Sequence, residues 1–381
     1  MPSLLALALS LAALLVLAAV IALATLLYLF TPLPPSPHPS ESTYLSPSSP
    51  STPRPLPSLL SPADRERGPT VALSVVVPAY NEAERLERML RPALEWLEAR
   101  EVPSSLVDDE KREKRPAETS YEVLIVDDGS RDSTVETALR LAGEIARGLP
   151  GGELRRGEVK VCRLVRNRGK GGATKHGVLH TSGARILFVD ADGATTFSDL
   201  SLLEAELSAL ERAQAARGVP EGERHGLVVG SRAHLVKSEA VVKRSALRNL
   251  LMRSFHLYLS LLGLSTIRDT QCGFKLQSRA SASLLYPTLH SPGWIFDCEL
   301  LLSALRCGVP VREVGVRWQE VEGSKLDVVR DSVRMARDLL VIRGNYMTGR
   351  WKAPGRVGEL GFEKVRKEPV AKKGKEAKKE L

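Results

Sequence analysis

Four short apolar runs along the chain each give way to a polar loop and then to a helix-like or glycine-rich stretch. They read "VALSVVVPAYNEAERLERML", "YEVLIVDDGSRDSTVETAL", "VKVCRLVRNRGKGGATKHG" and "ARILFVDADGATTFSDL". Runs of this length bounded by turn residues predict strands, and strands that stay apolar to their last residue predict a parallel sheet covered on both faces. Two of them end in acids, Asp127-Asp128 and Asp190-Ala191-Asp192. Carboxylates delivered there stand at the carboxyl edge of an open α/β sheet, where such folds bind ligands. The expected architecture is a mixed, mostly parallel sheet flanked by helices.

Outside these runs the pattern changes. Leu4 to Phe30 carry no charge and are nearly all Leu, Ala, Val or Ile; as a helix this run is about 40 Å long, enough to span a bilayer. A cleaved signal has a shorter apolar region behind a basic segment, so residues 1–30 are expected to be an uncleaved anchor. No Lys or Arg precedes the span and the first to follow is Arg54, which leaves only a small bias toward a cytosolic C-terminal domain. Residues 31–69, dense in Pro and Ser, are expected to be an extended tether without a core. Residues 70–351 form the folded domain, with surface loops near 98–120, 148–158 and 213–226. Residues 352–381 form a basic disordered tail.

Composition narrows the chemistry. Of 381 residues, roughly 280 to 300 remain for folding, enough for one large α/β domain. The net charge of +9 calls for an anionic partner, and with few aromatics and no nucleic-acid module that partner is a phosphate-bearing substrate or lipid headgroup, not nucleic acid. Cys162, Cys272, Cys298 and Cys307 have neither zinc nor disulfide-framework spacing, which fits a reducing compartment.

An Asp-x-Asp pair on extended backbone can aim both carboxylates at one hard cation, and Mg²⁺ or Mn²⁺ is the usual companion of a diphosphate. The glycines of "RNRGKGGATKHG" fit neither a P-loop nor a dinucleotide fingerprint. What remains is a basic turn in which Gly169, Gly171 and Gly172 permit close approach to a ligand and Lys170 meets negative charge. A phosphate monoester is already anionic at neutral pH, so an acceptor of that kind needs cations more than a base. Arg232, Arg244, Arg248, Arg268 and Lys325 are the candidates. Asp297 and Glu299 in "WIFDCELL" open a helix pattern, where acids serve either as dipole partners or as active-site carboxylates.

In order and spacing, the four segments, with "VVGSRAHL", "IRDTQCGFKLQSR", "WIFDCELLLSAL" and "VRWQEVEGSKL", resemble family 2 glycosyltransferases of the GT-A fold, in the branch that glycosylates polyprenyl phosphates. The resemblance runs from about Val71 to Trp351. It implies that Pro78, Ala79, Tyr80, Asn81 and Glu82 form the first nucleotide-binding loop and that Asp127 and Asp128 face base and ribose. It also puts Gly169, Lys170 and Gly171 beside the nucleotide, Asp190 and Asp192 on the metal, and Arg232, Arg244 and Lys325 near the lipid phosphate, with Asp297 and Glu299 as further carboxylates. For Arg248 and Arg268 a surface salt bridge is an equal alternative. Many mannosyl members carry a polar residue two positions past the second acid; here it is Ala194, and the chain is closer to the glucosyl branch.

The implied reaction is an inverting transfer of glucose from UDP-glucose to dolichyl phosphate at the cytosolic face of the endoplasmic reticulum, for N-glycosylation. The alternatives are a GDP-mannose donor or a catalytically silent, membrane-tethered nucleotide-sugar binder. Residues 240–264 and 327–351 mix basic and apolar positions as membrane-surface helices do. Lys378 and Lys379 resemble a cytosol-read dilysine retrieval signal. Since an anchor mainly keeps such an enzyme near its substrate, a chain beginning near Val71 is expected to retain some transfer to detergent-dispersed dolichyl phosphate, with a weaker apparent affinity.

Overall fold

The computed structural model describes residues 4–33, 35–36, 38–100, 119–237, 267–321 and 328–357. Arg244, Arg248, Lys325, the stretch 240–264 and residues 358–381 with Lys378 and Lys379 lie outside the described residues; the first residues of the expected tail differ from that expectation, since Val357 N–H donates to Cys307 O at 2.8 Å and Pro354 O accepts from Cys307 Sγ at 3.3 Å.

The four apolar runs are strands. β3 (Val71–Ala79), β4 (Tyr121–Asp127), β5 (Gly157–Arg163) and β6 (Gly183–Val189) pair in parallel in the order β5-β4-β3-β6. Beyond β6 the sheet turns mixed: β8 (Phe274–Ser278) is antiparallel to both β6 and β7 (Leu227–Ser231), and β9 (Val311–Gly315) runs parallel to β7.

Alternate residues along the central strands face opposite ways, and both faces are covered. Val75, Val77, Val123 and Ile125 meet α3 (Leu86–Ala99), α4 (Thr134–Gly148) and α6 (Leu200–Ala215). On α3 the buried set Leu86, Met89, Leu90, Ala93, Leu94 and Leu97 follows the 3.6-residue period. Val76, Leu124 and Val126 meet α5 (Gly169–Leu179), α7 (Arg279–Leu285), α8 (Phe296–Cys307) and α9 (Val328–Met347). All four cysteines are free and buried.

The Ser/Pro segment differs from its expectation as a tether. It forms a hairpin, β1 (Thr43–Ser46) with β2 (Ser49–Pro55), and Leu45 pairs with Val161 of β5, extending the sheet. Its prolines are tolerated because β2 is the outermost strand, where no partner needs their missing N–H groups. Arg54 pairs with Glu158 and Leu59 is fully buried, so a few well-placed residues dock a segment whose average composition reads as extended.

The apolar helix α1 (Leu4–Phe30) is largely exposed until its last turns, where it meets α9. A Cβ at Gly344 would lie 2.8 Å from Leu27, the Asn345 amide donates to Thr31 Oγ1 at 2.9 Å, and Arg337 stands 4.6 Å from the Phe30 ring. The end of the apolar helix is thus seated directly on the folded domain.

Candidate active site

The carboxyl ends of β3, β4 and β6 converge with the turn entering α5. At the end of β3, Asn81 adopts φ 53°, an uncommon conformation that Asn tolerates. Side chains on the next loop hold it there: Asn81 N–H donates to Ser130 Oγ at 2.8 Å, its Oδ1 accepts from Arg131 N at 2.8 Å, and Glu82 N–H donates to Thr134 Oγ1 at 2.8 Å. Glu82 takes the Arg85 guanidinium in a two-pronged pair at 2.7 and 2.8 Å. It therefore serves Arg85, a residue that sequence reasoning missed, whose charge interacts with Asp192 and Asp190.

β4 delivers both of its acids into the same corner. Asp127 is fully buried and accepts from Ser130 N; burial pushes its pKa up against those hydrogen bonds. Asp128 accepts from the backbone N–H groups of Arg168 and Gly169 at 2.7 and 2.8 Å. Burial still raises it to about 7, with Asp127 adding repulsion. Gly129 has φ 69°, and a Cβ there would stand 2.9 Å from Asn167 N, so glycine is what lets the two loops touch. A cleft of about 440 Å³ opens beside them, lined by Gly129, Ser130 and Arg163 from this corner and by Tyr44 and Pro53 from the hairpin.

At the end of β6, Asp190 N–H donates to Gly273 O at 3.0 Å, and a side chain at Gly273 would overlap the Asp190 carboxylate. Lys170 Nζ reaches Asp190 Oδ1 at 2.7 Å, between the Phe188 and Trp294 rings. Asp192 accepts from Ala194 N at 3.0 Å. Burial and then the neighbouring Asp190 charge push its pKa up, with Arg85 and Lys170 opposing. Ala194 is buried and its carbonyl accepts from Gln319 N, so it packs the loop.

Among the described residues no group of three or more His, Cys, Asp or Glu gathers as a metal cluster. Two crowded carboxylates with hard oxygen donors nevertheless suit a divalent cation that takes its other ligands from a diphosphate and water. A cation there would offset the Asp190 charge that, after burial, pushes the Asp192 pKa up.

Several candidates have other roles. A Cβ at Gly169 (φ 81°) would meet Pro292 O at 2.6 Å, and one at Gly171 would meet Ser291 O at 2.6 Å. These glycines admit the 291–296 segment of the protein itself. Glu299 is fully buried and accepts from His290 N, Ser291 N and Tyr346 Oη at 3.1, 2.7 and 3.2 Å. It anchors that segment. Asp297 is buried against Lys275 Nζ at 2.6 Å; burial raises its pKa, and Lys275 and then Lys170 oppose. Its charge also acts on Lys170, so Lys275, Asp297, Lys170 and Asp190 are interacting charges of alternating sign.

Arg232 is gripped by Asp269 through Nε and Nη2 at 2.7 and 2.9 Å and lies 5.5 Å from the Trp318 ring. Burial works to lower its pKa, but Asp269 holds it above the usual value. That edge of its fork is committed, which orients the remaining charge. Arg268 is exposed, and its N–H donates to Glu313.

Residues 74–282 match the family model described as glycosyl transferase family 2. A dolichyl-phosphate beta-glucosyltransferase of Dictyostelium discoideum is 42% identical over 282 residues, covering 74% of this chain and 77% of that protein. One of Saccharomyces cerevisiae is 38% identical over 324 residues, covering 84% and 89%, and one of Mus musculus is 43% identical over 284, covering 74% and 78%. Among solved structures, glucosyl-3-phosphoglycerate synthase of M. tuberculosis is 22% identical with a TM-score of 0.42, covering 74% and 83%.

Proposed function

The chain belongs to glycosyl transferase family 2, and from that membership we propose that it moves glucose from UDP-glucose to dolichyl phosphate, inverting the anomeric centre to give dolichyl β-glucosyl phosphate and UDP. The observation that carries this reading is the meeting of Asp190, Asp192, Lys170 and Arg85 in one corner, beside the buried Asp127-Asp128 pair. Acids for a base and ribose lie next to an alternating set of acids and cations suited to a diphosphate.

Asp190 and Asp192 would hold the divalent cation, Mg²⁺ or Mn²⁺, which when bound supplies neutralising charge to the departing diphosphate. Lys170 and Arg85 add fixed positive charge at the same end. Asp128, held by two N–H groups, presents an oriented acceptor to the nucleoside. Arg232, oriented by Asp269, offers its charge to the acceptor phosphate, which attacks as an anion and needs no deep proton abstraction.

Incubation of the full chain with labelled UDP-glucose or GDP-mannose and dolichyl phosphate, followed by lipid extraction, tests the reading. Label should enter lipid from UDP-glucose, with UDP competing strongly and GDP weakly, because a pocket built for one base leaves polar groups unpaired with the other. The reverse order would make the enzyme a mannosyltransferase. Binding without transfer from either donor would favour a silent binder.

The reading extends to place. We infer that α1, long and apolar enough to cross a bilayer, is a single-pass anchor in the endoplasmic reticulum membrane with the catalytic domain facing the cytosol. Its packing on α9 would hold the site at the lipid surface without a tether. Protease added outside sealed microsomes should digest the domain; protection of the whole domain would reverse the orientation.

A further inference from the structure

Between the apolar helix and the hairpin, one carboxylate is buried far more completely than a connecting segment requires. Glu41 lies in a turn over Pro39–Ser42 and is 2% exposed. Its Oε1 accepts from Val165 N at 2.9 Å, its Oε2 accepts from His38 N at 3.2 Å, and the Arg168 guanidinium pairs with it. Its carbonyl faces His176 Nε2 at 2.7 Å and accepts from Cys162 Sγ at 3.2 Å. Despite burial, which works to raise it, the Val165 N–H and Arg168 keep the carboxyl below its ordinary range.

What Glu41 grips is the loop that grips Asp128. The Arg168 side chain goes to Glu41 while its backbone N–H, with that of Gly169, goes to the two Asp128 oxygens. Two residues on, Lys170 reaches Asp190. The 165–170 loop therefore has one fixed end on each side of the nucleotide corner, and its outer hold comes from a residue nearly 90 positions before Asp128.

We propose that Glu41 is a positioning residue for the nucleotide sugar: it locks Arg168 and so sets the backbone N–H pair that orients Asp128. The proposal rests on the glucosyl-transfer reading, and the segment that carries Glu41 is part of the donor site. A chain beginning at Val71 lacks this hold, so the transfer it retains should carry the same raised KM for UDP-glucose.

The test uses full-length protein in detergent. Glu41→Gln keeps the shape of the side chain and removes its charge; Arg168→Gln cuts the same link from the other side without touching the turn. Each should raise the KM for UDP-glucose about tenfold or more, leaving kcat and the dolichyl phosphate KM within about twofold. The double variant should be no worse than the worse single, since both break one interaction. Glu158→Gln loosens the same hairpin through Arg54 but has no contact with Arg168, and it should leave the donor KM unchanged.

An unchanged donor KM in Glu41→Gln, an additive double variant, or an equal shift in Glu158→Gln would overturn the proposal. If the wild type binds UDP but transfers nothing, the reaction assignment fails instead. Calorimetric UDP affinities across the same variants then decide the role of Glu41.

Discussion

Asp192→Asn should lower glucose transfer at least about a hundredfold, on the order of 3 kcal/mol of transition-state stabilisation. The substitution keeps the side chain's shape and its hydrogen bond from Ala194 N, so stability should change little. What it removes is charge, at a place where burial and Asp190 already make charge costly to hold. On the proposed reading that cost is offset by Lys170 and Arg85 and, during turnover, would be offset by a cation. EDTA should reproduce the loss in the wild type, and added Mn²⁺ or Mg²⁺ should reverse it. Initial rates at saturating UDP-glucose and dolichyl phosphate are the measurement. Full activity in Asp192→Asn, or in chelated wild type, would sink the metal assignment.

The central sheet and its acids were legible because their signals are local. Val71–Ala79 and Tyr121–Asp127 announce themselves by unbroken apolar runs, and the acids that follow sit at strand ends by construction. The hairpin was not legible: its Pro and Ser content argues for an extended chain, and the packing and pairing that decide otherwise come from a few residues, Glu41, Tyr44, Arg54, Leu56 and Leu59 among them. Composition averages over a segment; docking depends on a few residues within it. Arg85 was hidden for a related reason, since its importance comes from a fold that pairs it with Glu82 and brings it within the influence of the Asp192 and Asp190 charges. Gly273 carried a weak signal, a glycine opening an apolar strand, which hints at close backbone approach. Glu299 and Asp297 were legible as acids in the first turn of a helix, but the partners that define their roles lie on other elements. Motif spacing tells which residues reach a sheet edge. Three-dimensional pairing decides which of them face a ligand.

Lys275→Met should destabilise the protein by about 3–5 kcal/mol, the usual result of leaving a buried charge without its partner. Lys275 and Asp297 are each about 1% exposed and 2.6 Å apart, and Lys170, whose charge also acts on Asp297, is already committed to Asp190. Removing both charges, in Lys275→Met with Asp297→Val, should recover most of the loss, because desolvation then vanishes together with the attraction. Denaturant midpoints for the two singles and the double are the measurement, and a double variant no more stable than the singles would refute the pairing argument. The same protein decides what Asp297 is for. If it serves as structural counter-charge to Lys275 and Lys170, the folded double variant should keep transfer within about tenfold of wild type, since no group touching the donor has been removed. A loss of a hundredfold or more in a folded double variant would instead return Asp297 to the catalytic set, as a carboxylate that moves toward the sugar during turnover.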